Sequence, residues 1–488
     1  MLLRHLLDIL EYEELYGSDA VDITGITNNS KTVKPGDLFI AIAGYSIDGH
    51  KFIDQAIAAG AKAVIGEKEI GKQSVPYIKV TDSRKALALA AKRFYKNEQN
   101  KAIMIGITGT NGKTTTSYML KHILETCGHT CSLFGSVQNI VNGQILPATT
   151  NTTMDALELQ KQLAASNDQV VIMEVTSHAL MQYRVFGIEF DYGLFTNLSQ
   201  DHLDYHGSME AYFGAKLRLF EQLAPAGKAV IQAQGEWGEA FLASLKQRDV
   251  PYIYTLGGAE ATLQLSNVRI ERPMQVTLAE DHKAYDLKVP LLGEHNVYNA
   301  AIAFLTARLL GLNARKILAA LEKFPGVPGR FELIHHPKGA NIVIDYAHTE
   351  DAFYHCLKTA KELSARRIIH VFGFRGNRDT SKRQAMVNVS KRFSDFIILT
   401  MDDLNGESFE SMRKKLENYQ LGENGVVIPD RTSAIAHAWE LAENGDWVFI
   451  TGKGHEAYKQ PYHLPTQSDK DTVQHLWQRT KARKMLVD

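Results

Sequence analysis

The residues at 109–115 form the stretch whose types and spacing point most directly to chemistry. They follow an apolar run at 103–108 and lead into residues that favour a helix, so a strand, a glycine-rich turn and a helix start occur in that order. Such a turn directs several backbone N–H groups and a positive helix N-terminus at one point, where a lysine and a threonine hydroxyl add a cation and a Mg²⁺ ligand. The pattern predicts a cradle for a nucleotide polyphosphate, with ATP as the first choice, formed by Gly109, Thr110, Asn111, Gly112, Lys113, Thr114 and Thr115.

This turn is a variant of the usual phosphate-loop pattern, which places its first glycine five residues before the second. That position is Ile107 in this chain, and Gly106 comes one residue too early. The alternative interpretation is an ordinary strand-to-helix turn with a chance Gly-Lys-Thr. The coincidence of strand, glycines, lysine and three threonines in the required order favours the phosphate loop.

Two polar clusters follow apolar strands further along the chain. Glu174 lies near the end of VVIMEV, and His202 belongs to the segment DHLDYHG after YGLFTNL. Ligands of parallel sheets gather at the carboxyl ends of the strands, so Glu174 is expected to present a carboxylate to a metal beside the phosphate cradle. A lone histidine is usually structural, but two Asp and two His within seven residues favour a functional site.

Positioning these residues requires a large α/β protein. The 488 residues exceed what one core usually supports and indicate roughly three domains. Apolar strands that alternate with helical stretches predict a mostly parallel sheet covered by helices. We place an N-terminal α/β module at 1–98, a central phosphate-loop domain at 99–330 and a C-terminal Rossmann-like α/β domain at 331–488. Residues 226–290 are predicted to form irregular β structure.

Composition argues against several classes of function. The 54 basic and 55 acidic residues leave no broad positive surface for nucleic acid, which favours small-molecule substrates. Three cysteines, Cys127, Cys131 and Cys356, form neither a disulfide framework nor a metal pattern, which fits a reducing cytosol. No run approaches the roughly twenty apolar residues of a membrane span, and the first residues suit an amphipathic helix better than a signal peptide. We expect a cytoplasmic monomer.

Short motifs along nearly the whole chain resemble those of the Mur ligase family, most closely its MurE branch, in order and approximate spacing. They are GDLFIAIAG, DGHKF, TGTNGKTTT, NTT, EVTSH, TNLSQDHLDYHG, GEHNVYN, PGRFE, DYAHTEDA, GNRDTSKR and TGKGHE. The resemblance implies a three-domain enzyme of peptidoglycan synthesis. In it, ATP phosphorylates the terminal carboxylate of UDP-N-acetylmuramoyl-L-alanyl-D-glutamate, and an amino acid then attacks the acyl phosphate.

The same resemblance assigns the reacting centre. Lys113 is implied to neutralise the transferring phosphoryl group, while Mg²⁺, expected as two ions, lies between phosphates and carboxylate. Lys216 matches the family's carbamylated lysine, an anion that helps to hold the second ion; a solvated lysine on a helix is the alternative. The implied metal ligands are Thr114 or Thr115, Glu174, His202 and the modified Lys216.

Other residues are assigned to binding by resemblance alone. The nucleotide contacts would be Asn296 and Asn299 on the adenine side, Arg330 at a phosphate and Asp345 at the ribose. A structural role for Asn299 at a helix start is the alternative. The UDP end is expected near Ser30, Lys31 and Gly44. The muramoyl-peptide is expected at Asn151, Thr152, Thr153, Thr176, Gln182 and Arg184.

The segment that selects the incoming amino acid departs from the family pattern. Diaminopimelate enzymes carry Asp-Asn-Pro-Arg where this chain has Asp402-Asp403-Leu404-Asn405, so an arginine that would pair with the second carboxylate is missing. With Glu456, the two aspartates are expected to offer negative charge to a side-chain ammonium, which favours L-lysine and leaves ornithine or an unrelated amino acid open. A solvated acidic turn is the alternative interpretation of the two aspartates. Arg378 is expected to hold the α-carboxylate, and Gly452 to lie beside this site.

Two other functions stay open at this point. One is a MurE-like ligase that acts on a different carboxylate in a specialised pathway, which the departures in the amino-acid segment allow. The other is a catalytically idle binding subunit, although the presence of Lys113, Glu174, His202 and Lys216 argues against it.

Overall fold

The computed structural model describes residues 1–44, 47–71, 73–149, 151–257, 260–377 and 380–485. Within them, strands form three sheets of five, eleven and six members, and the strands of each sheet come from one continuous part of the chain. The α/β class is therefore confirmed, while the exact domain boundaries stay predictions. None of the helices in the described ranges is long and apolar enough to cross a bilayer.

The N-terminal sheet has the order β1-β5-β4-β3-β2, parallel except at β1. Its strands are β1 (Glu14–Tyr16), β2 (Gly25–Thr27), β3 (Asp37–Ile40), β4 (Ala63–Gly66) and β5 (Tyr77–Lys79). Its helices are α1 (Leu3–Leu7), α2 (Ile53–Ala58) and α3 (Ser83–Phe94), with 3₁₀ turns at Gly49–Phe52 and Asn97–Gln99. The Asp82 carboxylate accepts the first free N–H groups of α3, which fixes where that helix begins.

The central sheet has the order β16-β15-β14-β13-β12-β11-β6-β10-β7-β8-β9. Its strands are β6 (Ile103–Thr108), β7 (Cys131–Phe134), β8 (Asn139–Val141), β9 (Gln144–Ile145), β10 (Val170–Glu174), β11 (Phe190–Phe195), β12 (Leu223–Gln232), β13 (Tyr252–Gly257), β14 (Leu263–Arg269), β15 (Met274–Glu280) and β16 (Lys283–Val289). The strands from β7 to β14 in this order pair in parallel, and antiparallel pairs lie at both edges.

Helices cover both faces of this central sheet. They are α4 (Lys113–Thr126), α5 (Ala156–Ala165), α6 (Ser177–Met181), α7 (Leu203–His206), α8 (Met209–Leu217), α9 (Gly235–Gln247), α10 (Glu294–Leu309) and α11 (Ala314–Glu322), with a 3₁₀ turn at Phe220–Gln222. Ile105 and Ile107 of β6 pack with α4 and α10, whereas Met104 belongs to the core on the opposite face. This alternation explains why β6 is an almost continuous apolar run.

The C-terminal sheet has the order β17-β18-β22-β19-β20-β21, parallel except at β17. Its strands are β17 (Glu332–His335), β18 (Asn341–Asp345), β19 (Ile368–Phe374), β20 (Phe396–Met401), β21 (Gly425–Val427) and β22 (Trp447–Thr451). Its helices are α12 (Glu350–Glu362), α13 (Arg383–Phe393), α14 (Phe409–Glu417), α15 (Arg431–Leu441) and α16 (Asp469–Met485), with a 3₁₀ turn at Gly422–Asn424. Apolar residues of α12 to α14 pack on one face and those of α15 and α16 on the other, as in a doubly wound fold.

A buried ion pair joins the last helix to this sheet. Arg431 donates from Nε and Nη2 to the two carboxylate oxygens of Asp469, at 2.7 and 2.6 Å, and from Nη2 to the carbonyl of Thr451 at 2.9 Å. Both charged side chains are 0% exposed. The start of α16 and the end of β22 are thus held by one guanidinium.

The prediction of irregular β structure at 226–290 was partly wrong. The segment contains regular strands and also α9, whose residues Gly238, Phe241 and Leu245 are buried at helical spacing. Phe241 stacks on Phe195 with ring centroids 3.9 Å apart. The apolar spacing of three and four residues is the signal that identifies this helix.

Candidate active site

The phosphate loop is held in one shape by its glycines and by β11. Gly109 and Gly112 have φ values of +145° and +87°, which side-chain-bearing residues rarely adopt. A Cβ on Gly109 would also collide with the Thr196 hydroxyl. The Asn197 carbonyl accepts from Thr110 N, and its side-chain oxygen accepts from Asn111 N, both at 2.9 Å. The turn is therefore built before any ligand arrives.

Lys113 lies across this loop. Its Nζ donates to the carbonyls of Gly109 and Thr110, each at 2.8 Å. Burial lowers the pKa of Lys113, while the nearby carboxylates of Glu174 and Asp201 oppose that effect. The lysine ammonium is thus hydrogen-bonded to backbone carbonyls at the place where the sequence predicts phosphate binding.

Glu174 ends β10 as a fully buried carboxylate with three donors. Thr114 Oγ1 donates to Oε2 at 2.9 Å, Ser136 N to Oε1 at 2.9 Å and Ser136 Oγ to Oε2 at 3.0 Å. A Cβ on Gly135 would collide with Oε1, so the glycine lets β7 approach this closely. Of the two threonines that the sequence left open, Thr114 contacts the carboxylate. No described hydrogen bond joins Thr115 to it.

Sequence reasoning missed Ser136. It lies two residues after the end of β7, so a polar residue close to a strand end is the signal that could have found it. Its hydroxyl also lies 3.1 Å from Thr152 Oγ1, which links the carboxylate to the predicted muramoyl-peptide residues.

The predicted metal ligands are only partly brought together. Across the described ranges, no group of three or more His, Cys, Asp or Glu side chains is arranged to hold a metal ion. The Thr114 hydroxyl and Glu174 carboxylate are hard oxygen donors beside the loop, and they fit Mg²⁺, which takes most of its ligands from phosphate and water. His202 instead contacts the His178 ring at 4.7 Å between centroids, and its Nε2 lies 3.4 Å from Asp201 Oδ2.

Lys216 reaches the same loop from α8. Its Nζ donates to the Gly109 carbonyl at 2.7 Å, lies 4.5 Å from the centre of the Tyr212 ring, and is part of a side chain that is nearly fully buried. Burial, and next the charge of Lys113, lower the pKa of Lys216 well below its usual value. The alternative of a solvated lysine is therefore wrong.

The residues predicted to bind the nucleoside have partners within the chain. Asn296 Nδ2 donates to the Leu292 carbonyl at 2.7 Å, and Asn299 bridges Asn296 and Thr116 at 3.1 and 3.3 Å. Asn299 thus has a structural role, although not at the helix start: it joins the second turn of α10 to α4 beneath Gly112. The adenine contact stays a prediction.

Arg330 contacts the phosphate helix α4, and Asp345 holds the backbone next to Arg330. Arg330 Nη2 donates to Thr114 Oγ1 at 3.3 Å, and its guanidinium lies 4.2 Å from the centre of the Tyr346 ring. Asp345 accepts from the backbone N–H groups of Phe331 and Ala347, both at 2.6 Å. Arg330 is thereby placed beside the predicted phosphate site, while the ribose contact of Asp345 stays a prediction.

The predicted muramoyl-peptide residues form one polar network next to Glu174. Thr153 Oγ1 donates to the Glu174 carbonyl at 2.8 Å and lies 3.3 Å from Thr176 Oγ1. Arg184 donates to the Thr153 carbonyl at 2.9 Å and to Gln182 Oε1 at 2.8 Å. Asn151 is exposed at the edge of this network. Their role in binding stays a prediction.

The residues predicted at the UDP end lie in the N-terminal unit. Ser30 Oγ donates to Gln55 Oε1 at 3.3 Å, Lys31 is exposed, and Gly44 N donates to the Ile47 carbonyl at 3.0 Å. No described hydrogen bond links these three to the central network, so their role also stays a prediction.

The acidic segment after β20 differs from its prediction. Asp402 and Asp403 are 2% and 1% exposed, so the solvated acidic turn is wrong. Lys453 Nζ donates to both, at 3.3 and 2.8 Å, and Arg375 Nε donates to Asp402 Oδ2 at 3.3 Å. Both carboxylates already have cationic partners within the chain, because buried acids require compensating charge. Their expected contact with the ammonium of the substrate stays a prediction.

Asn405 is neutral, and its side-chain amide is hydrogen-bonded within the chain. It has a φ of +47°, and its Nδ2 donates to the Gly376 carbonyl at 3.1 Å, which ties the segments after β19 and β20 together. Glu456 accepts from Tyr346 OH at 3.1 Å and from Arg375 Nη2 at 2.5 Å. The predicted contact Arg378 lies outside the described residues.

Three contacts bring the C-terminal unit onto the phosphate loop. Asn111 Nδ2 donates to Asp351 Oδ2 at 2.9 Å, and Lys382 Nζ donates to Asp201 Oδ1 at 3.0 Å. His455 Nε2 lies 3.2 Å from the Ser136 carbonyl. The C-terminal unit therefore lies against the phosphate loop and against the segments that follow β7 and β11.

Comparison with known proteins identifies the family behind this arrangement. Family models match residues 22–95 (Mur ligase family, catalytic domain), 107–307 (Mur ligase middle domain) and 329–454 (Mur ligase, glutamate ligase domain). The chain belongs to the Mur ligase family. It is an ATP-dependent acid–amino-acid ligase of the MurE type that acts in peptidoglycan synthesis.

Curated relatives span nearly the whole ligase. The "UDP-N-acetylmuramoyl-L-alanyl-D-glutamate--2,6-diaminopimelate ligase" of Aquifex aeolicus (strain VF5) is 39% identical, covering 90% of each chain. The protein of the same name from Clostridium tetani (strain Massachusetts / E88) is 36% identical, covering 94% of this chain and 95% of the relative.

Solved structures resemble it over similar lengths. A structure of the same named diaminopimelate ligase superposes with a TM-score of 0.67 at 30% identity, covering 94% and 95% of the two chains. MurF ligase from Thermotoga maritima in complex with ADP has a TM-score of 0.65 at 18% identity, covering 94% and 98%, which shows a shared fold. The predicted three-domain Mur ligase fold is thus confirmed.

Proposed function

We propose that this ligase joins meso-diaminopimelate to UDP-N-acetylmuramoyl-L-alanyl-D-glutamate. The observation that carries the choice of amino acid is the charge balance of the site after β19, β20 and β22. Among the described residues of this site, three acids, Asp402, Asp403 and Glu456, pair with three cations, Arg375, Lys453 and Lys459. A neutral cluster suits an amino acid whose far end is itself a zwitterion.

L-lysine is the second candidate, and Asn405 favours it. The chain lacks the arginine that diaminopimelate enzymes carry at that position. Against lysine, its ammonium would have to displace a cation from one of these three acids, because each of them already has a cationic partner. The relatives from Clostridium tetani, Alkaliphilus oremlandii and Aquifex aeolicus are each named for 2,6-diaminopimelate, which supports the first candidate.

The proposed reaction has two steps on the substrate. An oxygen of the D-glutamate side-chain carboxylate attacks the γ-phosphorus of ATP and releases ADP, which yields an acyl phosphate. The amine of diaminopimelate then attacks the acyl carbon, phosphate leaves with the C–O bond electrons, and the amine loses a proton. Lys113 and Arg330 compensate the charge of the phosphoryl group, and the rigid loop aligns it.

Mg²⁺ would be held by Thr114 and Glu174, and when bound it screens the phosphate charge and polarises the transferring group. We also propose that Lys216 is carbamylated. A buried amine of lowered pKa is more often neutral and able to take up CO₂, and the resulting anion relieves the repulsion between Lys216 and Lys113. A role for His202 at a second ion stays part of this proposal.

Because ATP and UDP-linked precursors are cytoplasmic, we expect the ligase to act in the cytoplasm. We also expect it to act as a monomer.

The test is phosphate release and product mass with purified ligase, ATP, Mg²⁺ and the muramoyl-dipeptide, against diaminopimelate, L-lysine and L-ornithine. We expect turnover to require the dipeptide and to favour diaminopimelate by about tenfold or more in kcat/KM. A preference for lysine would overturn the choice of amino acid. Turnover with none of them would point to another acceptor carboxylate.

A further inference from the structure

Arg375 is a charged residue of the amino-acid site that neither the motifs nor the resemblance assigns. It follows β19, at the point where the carboxyl ends of β22, β19 and β20 meet. Its Nη2 donates to Glu456 Oε2 at 2.5 Å and to the Gly452 carbonyl at 3.3 Å, and its Nε donates to Asp402. Three residues that the resemblance assigned to the amino acid thus surround one guanidinium.

The Arg375–Glu456 pair is the accessible part of the charged cluster. Their side chains are 23% and 27% exposed, whereas Asp402 and Lys453 are 2% and 0% exposed. Asp402 already has a second cation, Lys453, so it stays compensated if Arg375 turns partly towards a ligand. Asn405, whose amide is bound to the Gly376 carbonyl, brings no charge to this place.

We propose that Arg375 binds the distal carboxylate of the incoming amino acid while Glu456 binds its distal ammonium. This inference rests on the proposed function and names the residue that sets its specificity. The zwitterionic end inserts between the two side chains, so each exchanges one ionic partner for another. The planar guanidinium can donate two parallel N–H bonds to a carboxylate, which an asparagine or lysine cannot match.

The exchange explains discrimination against lysine. L-lysine has the ammonium for Glu456 but no anion for Arg375, so its binding would separate an ion pair and leave a partly buried cation without its carboxylate. Diaminopimelate leaves neither group unpaired. The arginine therefore selects for the second carboxylate from a position other than Asn405.

The test compares Arg375→Gln and Arg375→Lys with wild-type ligase in competition between meso-diaminopimelate and L-lysine at equal concentrations. Arg413→Gln is the matched control, because Arg413 is an exposed arginine of α14 paired with Glu417. We expect Arg375→Gln to lower the diaminopimelate-to-lysine ratio at least about tenfold, mainly through a higher KM for diaminopimelate. Arg375→Lys should recover part of the ratio, and Arg413→Gln should leave it unchanged.

The outcomes separate this inference from the proposed function. A wild-type preference for lysine would overturn both the proposed amino acid and the role of Arg375. A wild-type preference for diaminopimelate that survives in Arg375→Gln would overturn only the role of Arg375.

A measurement on wild-type protein covers the case in which the variants do not fold. The monoamide at the distal carboxylate of diaminopimelate has nearly the same size and the same distal ammonium, but the distal group no longer carries a negative charge. We expect its KM to exceed that of diaminopimelate by about tenfold or more. An equal KM would show that no cation binds the distal carboxylate.

Discussion

Ser136 holds Glu174 through two atoms at once, its backbone N–H at Oε1 and its hydroxyl at Oε2. These bonds come from the turn after β7, while the third donor, Thr114, comes from the phosphate helix α4. The carboxylate is therefore fixed between the part of the protein that holds the nucleotide and the part expected to hold the acceptor. A displaced Glu174 would misplace the metal rather than abolish the site.

Ser136→Ala tests this positioning role. The variant keeps the backbone bond and loses the hydroxyl, so we expect the Mg²⁺ concentration for half-maximal activity to rise about tenfold, as for other partners of metal ligands. The kcat at saturating Mg²⁺ should stay near the wild-type value. Ser132→Ala, which removes a buried β7 hydroxyl bound to Asp168, is the control and should not change the Mg²⁺ requirement. A Mg²⁺ requirement unchanged in Ser136→Ala would contradict the role.

Lys113→Ala is expected to lower kcat roughly 10³-fold, because no other flexible cation reaches the transferred phosphoryl group from within the loop. Ligation rates and a circular-dichroism melt are measured together. Lys121→Ala, on the same helix and paired at the surface with Glu125, serves as control and should leave both unchanged. Near-normal ligation by Lys113→Ala would refute the assignment of the loop.

Lys216 is expected to carry a carbamate. With ¹³C-labelled bicarbonate, the wild-type protein should show a carbamate carbon signal that Lys216→Ala lacks. The variant should lose most activity, and acetate should restore part of it by supplying a carboxylate next to the metal. If the wild-type signal is absent and acetate has no effect, the lysine acts as an amine.

Lys453→Met tests the buried charge cluster and its pH dependence. Burial alone raises the pKa of Asp402, but Arg375, Lys453 and Arg431 outweigh it and lower the pKa from 3.8 to about 2. Asp402 therefore stabilises the fold above pH 4, and this contribution is lost as the pH falls from about 4 to about 2. Removing Lys453 takes a positive partner away from the buried carboxylates of Asp402 and Asp403. It should destabilise the C-terminal unit by about 3 to 5 kcal/mol at pH 7.

The difference in melting temperature between Lys453→Met and wild type should narrow between pH 7 and pH 5. In the variant the carboxylates titrate at higher pH, so protonation relieves their repulsion sooner. Lys459→Met is the control, since Lys459 is 66% exposed and its pair with Asp403 should contribute less than about 1 kcal/mol. A constant difference across this pH range would argue that packing, not charge, is what Lys453 contributes.

Local sequence patterns identified the phosphate loop and Glu174. They missed the ion pairs that form between residues far apart in the sequence. The phosphate loop and Glu174 follow from glycine spacing and from a polar residue at a strand end, both of which are short-range signals. The state of Asp402 depends on Arg375 and Lys453, which lie 27 and 51 residues away and meet it only after the strands assemble. The acidic pair alone therefore indicated available negative charge, whereas the fold pairs both aspartates with cations.

Asn405 is a second residue whose role could not be read from the local sequence. Its sequence position suggested a lost contact to substrate, whereas its positive φ and its bond to Gly376 show a residue that shapes the turn. Arginine is less suited than asparagine to that backbone conformation. The turn after β20 is therefore shaped by a contact with the turn after β19, which a local motif does not reveal.

The Arg431–Asp469 pair sets an order in which the newly made chain can mature. Arg431 leaves the ribosome before its counterion, and until Asp469 follows, the cation that anchors β22 has no carboxylate to accompany it into the core. The phosphate loop is complete long before that moment, so the nucleotide half can fold first. Premature termination before Asp469 would thus yield a chain with an intact ATP cradle but an unfinished amino-acid site, a product suited to removal by proteases.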